Sequence, residues 1–297
     1  MEEVDTPSNS DIRTGELRAL GLRTRALEAG AEGGEEAVVF LHGGPGSAND
    51  WDDLLPQVGV FARAVALDLP GFGEADKPAD WEYSASSYAM FIAGALNELG
   101  IRRAHLVMGD IGASGLLWGA SHPGAFASSV MVGAGALIGY RWHALARLAR
   151  APLVGHLMAT SPSWLGFRTI MRIYNPAPQK LPNEVLQRWW RDYDRATRRA
   201  VVRFWRATPP SAFERIAPVL RRLDRPALAL WGANDRFTPV EQAERQRESF
   251  PDAEVVVLED SGHYPNLDDP SRAAEAIVPF LRHQLRCGDG GQAGKSA

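Results

Sequence analysis

One cysteine, three lysines and no long apolar run set the first limits on this chain of 297 residues. The lone Cys287 excludes an internal disulfide and points to a reducing, cytoplasmic setting. No stretch of about eighteen consecutive apolar residues occurs, so no membrane-spanning helix and no membrane partner are expected. The opening MEEVDTPSNSDIRTG is acidic and polar and lacks the basic and apolar regions of a signal peptide. A net charge of −4 offers no global attraction for nucleic acid. There is no metal-ligand cluster, phosphate loop or dinucleotide fingerprint, so neither a metal nor another cofactor is expected. The glycines of GAGALIG at 133–139 are scattered and lead into a helical stretch, not a nucleotide site. No internal repeat is evident.

What is present is an ordinary soluble composition with an uneven charge. Apolar residues make up 45% and charged residues 23%, enough for a sizeable core in one large domain or one domain with an insert. Between Arg141 and Arg225 lie 17 basic and 5 acidic side chains, so this segment carries +12 and the remainder −16. The basic residues are almost all arginine, with lysine only at Lys77, Lys180 and Lys295, as a GC-rich coding bias would give. The segment reads as a helical region with a solvated arginine face, or as one that meets an anionic or polar aromatic ligand.

Strand and helix patterns alternate along the chain. EAVVFLHGGPG and ARAVALDLPGFG are apolar runs ending in glycine, which suits buried strands running into loops. SASSYAMFIAGALNELG opens on capping serines, carries apolar residues at helical spacing and ends in Gly100. RRAHLVMGD and ASSVMVGAG read as strands, with GASGLLWGASH as a helix between them. The rhythm breaks between about Ala136 and Pro210, where helical segments are punctuated by Pro152, Pro162, Pro176, Pro178 and Pro182. That stretch holds Trp142, Trp164, Trp189, Trp190 and Trp205, five of the nine tryptophans. RPALALWGAND, PVEQAERQRESF, AEVVVLEDSGH and SRAAEAIVPFLRHQL then resume the strand–helix order. The expectation is an α/β core (1–135 and 211–286) with a mostly parallel sheet flanked by helices, a helical cap at 136–210 inserted before the last two strands, and a disordered tail at 287–297.

Five short motifs stand in order on this frame: HGGPG at 42–46, DLPGFGEADKP at 68–78, GDIGA at 109–113, GANDRFTP at 232–239 and SGHYPNLDDP at 261–270. In this order and spacing the chain resembles the α/β-hydrolase-fold superfamily, over roughly residues 15–286, and within it the aspartate-nucleophile branch of epoxide hydrolases and haloalkane dehalogenases. The resemblance implies an oxyanion loop at HGGPG, a nucleophile elbow at GDIGA, and an acid and a histidine in the last two motifs.

The elbow needs small residues around its nucleophile, because the strand-to-helix turn is tight and strained. With HLV ending the strand, Asp110 falls on the nucleophile position and Gly112 and Ala113 supply the small residues. Taking Ser114 instead would require a small residue where Leu116 stands, so Ser114 reads as an ordinary helix serine. By resemblance His263 is the catalytic histidine and Asp235 its orienting acid, with Asp224 or Glu259 as substitutes. The oxyanion donors are the backbone N–H groups of Gly44 and Ile111. His42, His105 and His122 read as structural, and Asp68 resembles the aspartate that braces a loop.

A carboxylate nucleophile changes the chemistry. It is already ionised at neutral pH and suits attack on an sp3 carbon bearing a leaving group or a strained ring oxygen. The product is an ester on Asp110, which water activated by His263 then hydrolyses. Haloalkane dehalogenases commonly place a halide-binding Trp after the nucleophile and an Asn in the oxyanion loop; here these positions hold Ile111 and Gly44. Fluoroacetate dehalogenases resemble DRGAR where this chain has DIGAS. Epoxide hydrolases use cap tyrosines, for which Tyr140, Tyr174 and Tyr193 are available without a matching motif. The favoured expectation is hydrolysis of an epoxide on a hydrophobic or aromatic small molecule, with Tyr140, Tyr174, Trp189 and Trp205 as candidate substrate-binding residues. The alternatives are a non-hydrolytic step on a bulky polycyclic substrate in bacterial specialised metabolism, with Asp110 and His263 as acid and base; haloalkane dehalogenation; and a non-catalytic binding fold. The oligomeric state is open, a homodimer included.

Overall fold

The computed structural model describes residues 12–161, 163–178 and 181–290. Eight strands form one sheet: β1 (Arg13–Ala19), β2 (Leu22–Ala29), β3 (Glu36–Leu41), β4 (Ala64–Leu67), β5 (Arg103–Gly109), β6 (Phe126–Val132), β7 (Ala227–Gly232) and β8 (Glu254–Leu258). Their spatial order is β1-β2-β4-β3-β5-β6-β7-β8. β2 runs antiparallel to β1 and β4, and all other neighbours are parallel. The central strands β4, β6 and β7 are buried at every residue, as expected of a parallel sheet covered on both faces.

The period-two pleat sorts side chains into two cores. Val39 and Leu41 pack with Leu106, Met108, Met131 and Trp231 on one face. Val38 and Phe40 pack with Val107, Val130, Leu228 and Leu230 on the other. The helices α1 (Ala85–Glu98) and α2 (Gly115–Ser121) cover the first face. α1 starts where the Ser84 side chain accepts from Ser87 N–H and ends in a Schellman turn: Gly100 has φ +68°, and Ile101 N–H donates to Leu96 at 2.8 Å.

The β1–β2 hairpin is an element that the sequence pattern did not single out. Its two-residue loop, Leu20-Gly21, has positive φ at both positions (51° and 80°), the geometry that matches strand twist. Leucine in the first of those positions hides the turn from a search for Asn-Gly or Asp-Gly.

Between β6 and β7 the chain leaves the sheet for a helical layer, α3 (Ala144–Arg150), α4 (Pro152–Thr160), α5 (Trp164–Tyr174), α6 (Asn183–Asp192) and α7 (Arg195–Ala207), and returns to β7 through two shorter helices, Ser211–Glu214 and Ala217–Leu223. Pro152 starts α4 in its first turn, where a missing N–H costs nothing. A third apolar cluster docks this layer on the core: Phe167, Met171, Leu186 and Trp189 meet Phe237, Tyr264 and Leu267. Asp50 adds a polar tie, accepting from Arg188 at 2.8 Å and from the Trp189 indole at 2.9 Å. The closing helix α8 (Pro270–Gly290) runs past Cys287, and the rest of the expected tail, 291–297, lies outside the described residues. No helix among the described residues is long and apolar enough to cross a membrane.

Candidate active site

β5 delivers Asp110 into the mouth of the cap. Asp110 sits at φ +39°, a left-handed conformation that costs a non-glycine residue about 1–2 kcal/mol. The turn is crowded: a Cβ on Gly112 would lie 2.2 Å from the Leu41 carbonyl oxygen, and one on Gly43 would lie 2.8 Å from the Asp110 Cβ. Ser114 has no access to the cavity. It is fully buried, and its hydroxyl donates to the Ile111 carbonyl at 2.7 Å.

The Asp110 carboxylate lies between two backbone donors. Gly44 N–H donates to Oδ2 at 2.9 Å, and Ile111 N–H reaches the same group. Burial raises the Asp110 pKa above the usual aspartate value, against the opposing pull of His263 and these two donors. The loop that carries Gly44 is held by His42, whose Nε2 accepts from Leu69 N–H at 2.9 Å. Asp68 braces it further, taking Arg25 at 2.9 Å and Ala48 N–H at 2.8 Å. His105 and His122 are engaged with Ser128 and Glu36, and with the Trp118 carbonyl, respectively.

His263 follows β8 and Asp235 follows β7, so the two loops meet at the sheet's carboxyl end. His263 Nδ1 donates to Asp235 Oδ2 at 2.7 Å. Asp235 Oδ1 accepts from Phe237 N–H and Thr238 N–H, both at 2.8 Å, which leaves the carboxylate little freedom to turn. Neither Asp224 nor Glu259 takes that place. Burial alone would lower the His263 pKa, but Asp235 and Asp110 together raise it above the ordinary imidazole value. A brace unseen in the sequence pattern secures the loop: His263 N–H donates to Asn175 Oδ1 at the end of α5, and Asn175 Nδ2 donates to Asp268 at 2.9 Å.

Asp110, His263 and Gly44 line one small chamber of about 40 Å3, whose walls include Tyr140, Trp142 and Trp205. At about 10–15 Å3 for each water site it admits a reacting group and a few waters. Gly44, Trp205 and Phe237 also line an outer chamber of about 200 Å3 under the cap, otherwise mostly apolar. A slim apolar molecule can therefore span both.

Of the four aromatic residues expected to bind substrate, the structure brings Tyr140 and Trp205 to the inner chamber. The Tyr140 hydroxyl is already committed, donating to the Phe237 carbonyl at 2.7 Å and accepting from His143 N–H at 3.3 Å. Tyr174 lines neither chamber; its ring stacks on Phe237 at 4.6 Å and its hydroxyl accepts from Leu145 N–H at 3.1 Å. Trp189 is likewise corrected: its indole N–H is spent on Asp50 and its ring packs edge-on against Tyr264 at 4.7 Å, so it anchors the cap. Tyr193 instead faces the outer chamber.

His143 is the polar residue that the sequence reading missed. Nδ1 accepts from Ala146 N–H at 3.2 Å, which assigns the proton of the neutral ring to Nε2. Burial, then His263 and Arg147, push its pKa down to about 3, so the ring is neutral at physiological pH. It lines the inner chamber, and its Nε2–H has no partner among the described residues. Only an isolated histidine at the start of the cap could have signalled it.

The eight-stranded sheet, the elbow and the His–Asp pair define an α/β-fold hydrolase. Residues 38–276 match the Alpha/beta hydrolase family, and the chain belongs to it. It is similar to the 2-hydroxy-6-oxo-6-phenylhexa-2,4-dienoate hydrolase of Comamonas testosteroni, 28% identical over 85% of this chain and 90% of that one. The enzyme of that name from Burkholderia cepacia is 26% identical over 95% and 99% of the two chains. Among solved structures, the haloalkane dehalogenase DbeA from Bradyrhizobium elkani superposes with a TM-score of 0.78 at 23% identity, covering 93% of this chain and 100% of that one. The haloalkane dehalogenase DatA from Agrobacterium tumefaciens gives 0.78 at 21% identity, covering 92% and 97%. These superpositions speak for the fold.

Proposed function

We propose that this hydrolase opens an epoxide on a slim apolar or aromatic molecule through a covalent ester on Asp110. The observation that carries the reading is the seat of the Asp110 carboxylate, held by the N–H groups of Gly44 and Ile111 at the elbow. Those two donors would receive the oxyanion when water attacks the ester carbonyl.

The steps balance with the groups at hand. An Asp110 oxygen attacks a ring carbon, the carbon–oxygen bond of the ring breaks, and the freed alkoxide takes the proton of the His263 imidazolium. The raised His263 pKa supports that protonation state. Neutral His263 then removes a proton from water as the water oxygen bonds to the ester carbon. Collapse expels the second alcohol, which leaves with the proton His263 took from water. The regenerated carboxylic acid of Asp110 returns its own proton to His263. In this reading the Nε2–H of His143, in the wall of the same chamber, hydrogen-bonds the substrate oxygen without itself transferring a proton.

A second reading, dehalogenation, draws on Trp205, whose indole N–H has no partner among the described residues and whose ring lines both chambers. A step on a bulky polycyclic molecule draws on Trp142 and Trp205 in the inner wall, but the two chambers favour a narrow substrate. The test is prolonged incubation of His263→Gln with styrene oxide, 1-bromohexane and an aryl ester, with intact-protein mass and halide followed. Ring opening there is slow because the alkoxide must take its proton from solvent water, but an ester once formed accumulates because no base is left to activate water against it. A mass gain equal to the whole epoxide on Asp110 supports the proposal. Halide release with an alkyl adduct supports the second reading. Ester cleavage that persists in Asp110→Asn and vanishes in Ser114→Ala overturns both.

A further inference from the structure

The arginine-rich cap shows most of its charge to solvent, but Arg198 turns inward. It lies on α7, is 91% buried by its 9% exposure, and lines the outer chamber beside Phe167, Met171 and Trp190. Its Nε donates to the Ala159 carbonyl at 3.0 Å and its Nη1 to the Tyr193 carbonyl at 2.5 Å, at the ends of α4 and α6. No carboxylate pairs with it among the described residues, and its Nη2 meets no acceptor there. Arg25, Arg63 and Arg188, by contrast, each face an acid: Asp68, Glu28 and Asp50 respectively. A guanidinium shut into an apolar chamber without a counter-ion is costly, because the solvation it has lost is repaid only by a charged or strongly polar partner. Two carbonyls at helix ends, and the Tyr193 ring whose centroid lies 5.9 Å from the guanidinium carbon, repay part of that cost.

We propose that Arg198 is the carboxylate-binding subsite of the outer chamber, and that the substrate is an apolar acid whose reactive carbon reaches Asp110 while its carboxylate rests on the Nη2 face of Arg198. The shared walls at Gly44, Trp205 and Phe237 let one molecule span the two chambers. Planar guanidinium against carboxylate gives charge-assisted hydrogen bonds in a setting that water screens little. The proposal rests on Asp110 marking the reacting end of the substrate.

The experiment uses unreactive probes, so its outcome does not depend on the chemistry at Asp110. Binding of 6-phenylhexanoate and of 6-phenylhexanamide to the full chain is measured by calorimetry at pH 7.5, with quenching of Trp190 and Trp205 fluorescence locating the ligand. The wild type should bind the acid at least tenfold more tightly than the amide. Arg198→Met should reduce that ratio to within twofold while the amide affinity stays within threefold. Arg198→Lys should keep part of the preference. Equal binding of acid and amide by the wild type overturns the proposal, as does binding of neither. Equal loss of both probes in Arg198→Met and Arg198→Lys assigns Arg198 to clamping helix ends and also overturns it. Should Arg198→Met fail to fold, the wild-type ratio together with Arg198→Lys decides.

Discussion

The elbow and the cap treat their polar groups in opposite ways. At the elbow and the acid loop beside it, the carboxylates have donors: Asp110 has Gly44 and Ile111, and Asp235 has His263, Phe237 and Thr238. In the cap wall, His143, Trp205 and Arg198 each keep a donor without a partner among the described residues. The first arrangement is preorganised for one reaction; the second has hydrogen bonds left to make with a ligand. The contrast assigns chemistry to the core and recognition to the cap, and mutations on the two sides should differ in kind.

The largest effect should come from the core. Asp110→Asn removes the charge of the proposed nucleophile and should lower kcat by at least about a thousandfold, measured on the best substrate of the panel. Asp235→Asn should cost about as much, since His263 would lose both its orientation and the carboxylate that favours its protonated form. The pH profile sharpens the same side. Asp110 must be ionised, so activity should fall as pH drops through its raised pKa; His263 must start protonated, so activity should fall again as pH climbs through its own raised value. The bell should narrow from its acid limb if Asp110 lies in a still less polar site when substrate is bound.

Cap mutations should be milder and selective. His143→Phe should lower kcat/KM by about tenfold, or about 1.4 kcal/mol, with the acid limb of the profile unmoved. Trp189→Phe should leave kcat/KM within twofold and lower Tm by about 2–4 °C, the loss of one buried hydrogen bond to Asp50. A large kinetic effect of Trp189→Phe, or a purely thermal effect of His143→Phe, would break the contrast. Ser114→Ala should be the mildest, with activity within twofold.

The elbow turn and the meeting of Asp110, His263 and Asp235 were legible because their constraints are local. A turn that tolerates no Cβ at Gly112 restricts the residues around Asp110 whatever the rest of the fold does. The alternation of buried strands and capped helices revealed the sheet for the same reason. The β1–β2 hairpin was missed because Leu20 adopts a conformation its residue type disfavours, and only tertiary packing selects it. Cap residues posed a different difficulty. Trp189 and Trp190 are neighbours on α6, yet one anchors on Asp50 and the other lines a chamber. Which side of a helix faces a cavity depends on how the cap lies on the core, and tryptophan content alone carries no such direction. Asn175 reaches the histidine loop from a helix end 88 residues away along the chain.

The most direct test of the account is one turnover in 18O-water with enzyme in excess over a styrene-oxide-type substrate, followed by mass spectrometry of the peptide containing Asp110 and of the diol. The account predicts that the label enters the Asp110 carboxylate while the diol from the first turnover stays unlabelled. Label that appears at once in the product, with none in the Asp110 peptide, would show water attacking the substrate directly and would contradict a covalent role for Asp110.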